Sequence, residues 1–251
     1  MDLSTAALLA AAGFAAGAVN AVAGGGSLIS FPALLGAGYG SVTANVTNAV
    51  AVLPGYLGGS LAYRDELRGQ RQRIVALSVT SAAGALLGAV ILIVSPARVF
   101  EAIVPFLILA SCALLAAQPW LSKRLKPPES GAAEHRSLRL HAGVFAAAVY
   151  GGYFGAGLGI LLLAVLGLTL SDALQRLNAL KGLLSLVVGL AAAAYFAFSG
   201  KVEWDAAGVM ALASLAGGQA GVAVARRLDA RVLRALIVVF GVGVAVWLLI
   251  D

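Results

Sequence analysis

Residues 17–35 read GAVNAVAGGGSLISFPALL and residues 150–166 read YGGYFGAGLGILLLAVL. In each, a helix of small apolar residues runs into a glycine cluster, and a second apolar run follows. Gly24-Gly25-Gly26 finds its counterpart in Gly155-Ala156-Gly157, and Ser27 to Leu35 matches Leu158 to Leu166 at an offset of 131. Working outward, Asn48-Ala49 matches Asn178-Ala179, and Gly84-x-x-x-Gly88 matches Gly217-x-x-x-Gly221. Arg98-Val99 matches Arg231-Val232. Matches in order at a near-constant spacing mark an internal duplication.

The solvent of this chain follows from its composition. Of 251 residues, 61% are hydrophobic and 11% charged, against roughly 45–50% and about 25% in soluble domains. From Leu3 to Tyr63 there is no Asp, Glu, Lys, Arg or His. A run so long without charge belongs in the hydrocarbon core of a bilayer, so the chain reads as a polytopic, all-α membrane protein. Apolar segments at 42–63, 74–95, 99–120, 173–198, 206–225 and 232–250 are each about long enough to span. The segments around the glycines differ: His141 to Tyr153 and Leu158 to Leu168 are too short to cross alone. Residues 142–168 are therefore expected to form a helix-break-helix hairpin that enters and returns on one side. Residues 5–37 are its first-half equivalent, with a longer leading helix that leaves a full crossing open. An A-x-A pattern at Ala21–Ala23 resembles a signal-peptide end, but the first five residues, MDLST, carry Asp2 and no basic residue, so the segment is read as mature protein.

The halves are expected at 1–120 and 142–251, joined by a basic, Pro- and Ser-containing linker at 121–141. Thirteen of the 17 basic residues fall in 64–73, 121–141 and 226–234. The positive-inside rule puts all three on the cytoplasmic side. Equivalent loops then have opposite character, which inverted repeats give and parallel repeats do not. The expected architecture is an inverted repeat, each half a glycine-broken hairpin plus three transmembrane helices, with both termini outside. The net charge of +6 is explained by these loops and not by nucleic acid.

An intramembrane glycine break exposes backbone amides that lipid cannot satisfy, and the helix that follows points its positive end at the break. Two such helix starts make candidate anion sites, so Gly24, Gly25, Gly26, Ser27, Gly155 and Gly157 are candidate substrate contacts. The Gly84/Gly88 and Gly217/Gly221 pairs are read as helix-crossing contacts, serving within the chain or between chains; a homo-oligomer stays open. Of the polar residues inside spans, Asn45 and Asn48 share one helix face; Asn178, Lys181 and Ser185 share another. The asparagines serve either a substrate or helix packing. Lys181 stands about nine residues inside its span, on the order of 14 Å deep, where a lysine costs ~2.5–3.5 kcal/mol. No Asp or Glu lies mid-span to pair with it, so its expected partner is an anionic substrate. Arg176 is a further candidate, with Asp172 close enough to make it a salt-bridged interfacial residue instead.

Cation carriers and proton relays need buried carboxylates, which are absent here, so a carrier of small anions fits better. An intramembrane enzyme is disfavoured: no His or second catalytic group lies in a span, and Gly24–Ser27 is not followed by the Lys of a phosphate-binding loop. The single cysteine, Cys112, forms no internal disulfide, and His135 and His141 lie in or beside the most polar stretch. No metal or other cofactor is expected. A non-transporting membrane module is the remaining alternative.

The duplicated glycine segments, followed by ANVTNAVAVLPGYLGG at 44–59 and QRLNALKGLLSLVVG at 175–189, resemble the TauE/SafE family of sulfite exporters. The late segments GALLGAVI and GGQAGVAVARRL carry the same resemblance, which covers nearly the whole chain. It implies a bacterial inner-membrane transporter of sulfite, organosulfonates or related sulfur anions. In this chain Leu163 stands where the first copy has Pro32, and Ala156 where it has Gly25, so the two hairpins need not be equivalent.

Overall fold

The computed structural model describes residues 1–22, 25–62, 65–124, 137–225 and 230–250, and these form helices and connections without a strand. In the first half, α1 spans Leu3–Val22, α2 Ser27–Gly36, α3 Ser41–Ala51, α4 Leu53–Ala62, α5 Arg71–Val94 and α6 Ala97–Arg124. In the second, α7 spans Leu138–Tyr153, α8 Leu158–Thr169, α9 Leu174–Ala197, α10 Trp204–Ala225 and α11 Ala230–Ile250. Four described segments, Leu3–Asn20, Arg71–Val94, Ala97–Trp120 and Leu174–Ala197, are long and apolar enough to cross a bilayer. Outward-facing Val79, Phe106, Leu212 and Val239 are each at least 60% exposed, a surface suited to lipid. The chain is a multi-pass membrane protein.

The two short helices after the glycine clusters are those the sequence leads one to expect. At 10 and 12 residues, α2 and α8 are about 15 and 18 Å long, half a bilayer each. The segment 42–63, expected as one span, is instead two helices. Pro54 has no N–H to offer the preceding turn, so the chain closes α3 at Val52 and restarts as α4. Its second-half equivalent has Leu184 at that place and runs unbroken through α9. Helix also extends into both ends of the stretch read as linker, since α6 continues to Arg124 and α7 begins at Leu138. Residues 125–136 between them lie outside the described residues.

Helix pairing is reciprocal between the halves. The most extensive contacts are α1 with α10 and α5 with α7, each joining a hairpin helix of one half to a long helix of the other. Glycines make both crossings close. A Cβ on Gly17 would stand 2.0 Å from the Ser214 carbonyl oxygen, and one on Gly217 2.0 Å from that of Phe14. In the other crossing, Gly88 and Gly152 stand in the same relation to Val149 and Ala85. The small-xxx-small pairs are thus used inside the chain, where no side chain larger than hydrogen fits between the backbones.

Two hydrogen-bonded contacts tie the halves at their ends. Arg73, in the first turn of α5, bonds Asp172, just before α9, at 2.7 Å. The Glu203 amide, just before α10, donates to Thr47 Oγ1 of α3 at 3.0 Å. Because α9 is continuous for 24 residues, about 36 Å, these contacts lie at its opposite ends. Phe31, Phe100, Tyr153 and Phe154 pack together with ring centroids 5.5–6.3 Å apart, the two nearer pairs edge to face.

Candidate anion-binding site

Both hairpin tips meet one turn of α6. A Cβ on Gly157 would lie 3.6 Å from Ser111 Cβ, and one on Gly25 would lie 3.2 Å from Leu115 Cδ2. Ser111 and Leu115 are four residues apart near the centre of this 28-residue helix, so the two breaks converge at mid-depth. Gly24 lies outside the described residues.

The first tip is closed by its own side chains. Asn20 Oδ1 accepts the Gly26 amide at 2.8 Å, and the Gly26 carbonyl accepts from the amides of Ile29 and Ser30 and from Ser30 Oγ. Ser30 Oγ also donates to Asn48 Oδ1, with both residues buried. Ser27, buried at the start of α2, interacts with the Tyr56 hydroxyl. Asn45 Nδ2 donates to the Tyr153 carbonyl at 2.9 Å, which fastens α3 to the end of α7. The first-half candidates are therefore engaged with protein groups, although Asn20 keeps a buried Nδ2 without a partner among the described residues.

The second tip is built differently. Gly155 and Gly157 both take positive φ, 82° and 76°, a backbone that side chains other than hydrogen strain. The Ala156 carbonyl between them accepts from Tyr150 Oη at 2.6 Å and lies 2.9 Å from Ser111 Oγ. These hydroxyls hold the tip by its carbonyl. In the first turn of α8, the Leu158 amide bonds the Gly155 carbonyl, and the Ile160 and Leu161 amides bond that of Gly157. The Gly159 amide has no carbonyl acceptor among the described residues.

Lys181 lies against that turn. A Cβ on Gly159 would sit 3.6 Å from Lys181 Cε and 3.9 Å from Nζ, so the end of the lysine side chain packs on the first turn of α8. Only seven residues into α9, it is about 10 Å from the helix start, shallower than the sequence suggests. Among the described residues Lys181 makes no ion pair or hydrogen bond. Asn178, one turn earlier and half-buried, makes none either. An ammonium and the positive end of a helix, roughly half an elementary charge, repel one another unless an anion stands between them.

Arg176 is not part of this grouping. Its Nε bonds Asp172 Oδ1 at 2.9 Å, as the i, i+4 spacing allows, and it faces the end of the bundle with Arg73. Sequence reading did not single out Gly159, Ser111 or Tyr150 as site residues. The two hydroxyls inside apolar helices are the only sequence signal they carry; Gly159 carries none.

A bundle of membrane-spanning helices, with paired helix breaks meeting inside it and a lysine without a carboxylate partner, has the construction of a secondary transporter. The comparisons with known proteins agree. The profile of the family described as Sulfite exporter TauE/SafE matches residues 9–248, and the chain belongs to that family. A probable membrane transporter protein, ORF9, of a Sinorhizobium species is 29% identical, covering 98% of this chain and 92% of that protein. A probable membrane transporter protein of Haemophilus influenzae is 27% identical, covering 93% and 90%. The probable membrane transporter protein YfcA of Escherichia coli K12 is 24% identical over 94% and 86%. No solved structure matches the chain. It is a membrane transporter and not an enzyme.

Proposed function

We propose that this transporter carries small sulfur-containing anions, sulfite or organosulfonates, across the bacterial inner membrane. The anion sits at mid-depth between the start of α8 and the Lys181 ammonium, with Asn178 as a further donor. Gly155 and Gly157 shape the break, and the α2 start with Gly25, Gly26 and Ser27 forms the opposing wall. Asn45 and Asn48 brace that wall. One observation carries this reading: Lys181 lies on Gly159 with no acidic group among the described residues to neutralise it. The family description and the donor-only chemistry of an ammonium beside backbone amides support an oxyanion.

The two halves, 1–120 and 142–251, are proposed to be inverted repeats. The starts of α5 and α9 lie together at one end of α9, and the start of α10 lies against Thr47 of α3 beyond the other end. Equivalent helices α5 and α10 thus begin on opposite faces, and rocking of the halves about the tips gives alternating access. The basic stretches 64–73, 121–141 and 226–234 then share one face, which the positive-inside rule makes cytoplasmic, with both termini outside.

The test is counterflow of labelled sulfite into proteoliposomes, competed by sulfonates, sulfate and carboxylates. Saturable uptake competed by sulfur oxyanions, and lost in Lys181→Ala without loss of folded protein, is expected. Uptake competed best by carboxylates would move the substrate class, and unchanged uptake in Lys181→Ala would remove the lysine from the site.

A further inference from the structure

A second basic feature lies at the end of the bundle where the starts of α5 and α9 meet. Gly69, Gln70, Arg71, Gln72, Arg73 and Arg176 line a pocket of about 270 Å³. Three arginines line it, and one carboxylate, Asp172, lies against two of them. Arg73 Nη1 bonds Asp172 Oδ2 at 2.7 Å and Gln70 Oε1 at 3.0 Å, while Arg176 Nε bonds Asp172 Oδ1 at 2.9 Å. Arg71 is exposed and has no ion pair among the described residues. The pocket keeps two positive charges beyond the one that Asp172 neutralises. The two carboxylate oxygens, each taken by a different arginine, occupy the positions that two oxygens of a sulfite or phosphate group would take.

We propose that this pocket is a second anion site, in which Asp172 is a resident carboxylate that a small oxyanion displaces from Arg73 and Arg176. Arg71 supplies the unpaired charge that draws the anion in. Arg176 is five residues from Lys181, about 7.5 Å along α9, so an anion released here has a short path to the deeper site. Arg73 belongs to the first half, and Asp172 and Arg176 to the second. Displacing Asp172 therefore undoes a link between the halves as the anion arrives. The ligand class rests on the anion-transport reading above. A phospholipid phosphate offers the same chemistry at this depth and is the other source of such a ligand.

The pocket is tested by titrating sulfite into the purified full-length protein in phosphatidylcholine nanodiscs at low ionic strength. Lys181→Ala is expected to retain a sulfite-binding event. In that background Arg71→Gln weakens it by about three- to ten-fold and Asp172→Asn strengthens it by a similar factor. Loss of all binding in Lys181→Ala, or wild-type affinity in Arg71→Gln, overturns the second site. Arg71 is exposed and unpaired, so that variant folds even where Asp172→Asn does not. Repeating the titration with phosphatidylglycerol separates the sources. A fall in sulfite affinity that Arg71→Gln removes supports the site with lipid phosphate as its competing occupant. Failed counterflow with this binding intact removes the transport reading alone, and normal counterflow with an indifferent Arg71→Gln removes this site alone.

Discussion

The two hairpin tips meet one turn of α6 and differ in what their polar groups do. At the first, Asn20 takes the Gly26 amide and Asn48 takes the Ser30 hydroxyl, so the tip is held by side chains that meet one another. At the second, the same offsets put Leu161 where Ser30 stands and Lys181 where Ala51 stands. Asn178, the counterpart of Asn48, consequently has no hydroxyl to hold, and an ammonium replaces a methyl group. The scaffold around them stays alike, with glycine crossings of 2.0 Å clearance in both halves. The two tips share a frame of close glycine crossings, and the unsatisfied charge lies at one of them.

The largest expected effect sets the two positions 51 and 181 against each other. Lys181→Ala makes the second tip resemble the first and is expected to lower sulfite counterflow by at least about ten-fold, since a charge-assisted contact to a desolvated anion is worth ~1.5–3 kcal/mol. Its thermal stability in detergent should hold or rise, because an unpaired charge leaves the interior. A variant that unfolds while wild-type protein survives would mean that the lysine is structural and the contrast between the tips misplaced.

Next in size is a test of the shared frame. Gly88→Ala and Gly217→Ala each push a methyl group to 2.0 Å from a backbone carbonyl, which must move. Both should cost ~1–3 kcal/mol, read as matching falls in melting temperature. Gly208→Ala and Gly243→Ala, with nothing within 4 Å, serve as controls expected to stay near wild type or above it. Unequal losses at Gly88 and Gly217 would show that the two crossings are not equivalent.

A finer contrast separates the two asparagines. Asn48 is 2% exposed and bonded to Ser30, so Asn48→Ala should cost ~1–3 kcal/mol of stability through the lost buried hydrogen bond and the space left in the core. Asn178→Ala should cost less than about 0.5 kcal/mol and instead raise the KM for sulfite. The reverse pattern would exchange the roles assigned to the two halves.

How far the residues alone reveal this depends on what each signal measures. The second hairpin was legible because its two apolar runs, 13 and 11 residues around a glycine cluster, are too short to span, and length is a property of sequence. Lys181 was legible because a charge in an apolar run has a known cost. The break at Val52 was not, since hydropathy through 42–63 is continuous and the interruption belongs to the backbone of Pro54. Gly159 was invisible for a related reason: the lysine that packs on it is 22 positions away, and only the antiparallel pairing of α8 and α9 brings them together. Arg176 was counted with the site on its position in the span, while its i, i+4 relation to Asp172 already offered a local partner.

The smallest effect concerns that partner, the carboxylate that satisfies Arg176 in the half that also holds the unpaired Lys181. Burial pushes the Asp172 carboxyl up, but hydrogen bonds from Arg73, the Ala173 amide and Arg176 outweigh it and hold the group below its ordinary value of 3.8. A carboxyl with a lowered folded-state value stabilises the fold at every pH above its unfolded value, and that contribution disappears as pH falls through the folded one. Asp172→Asn should therefore melt slightly below wild type at pH 7, with the gap constant down to about pH 4 and closing further down. A gap that stays constant below about pH 4 as well would mean that the carboxyl gains nothing from Arg73 and Arg176 on folding and that the ion pair across the halves does not hold in solution. Lys181, with no carboxylate to lose, contributes nothing to that acid limb, so Lys181→Ala should leave its shape unchanged.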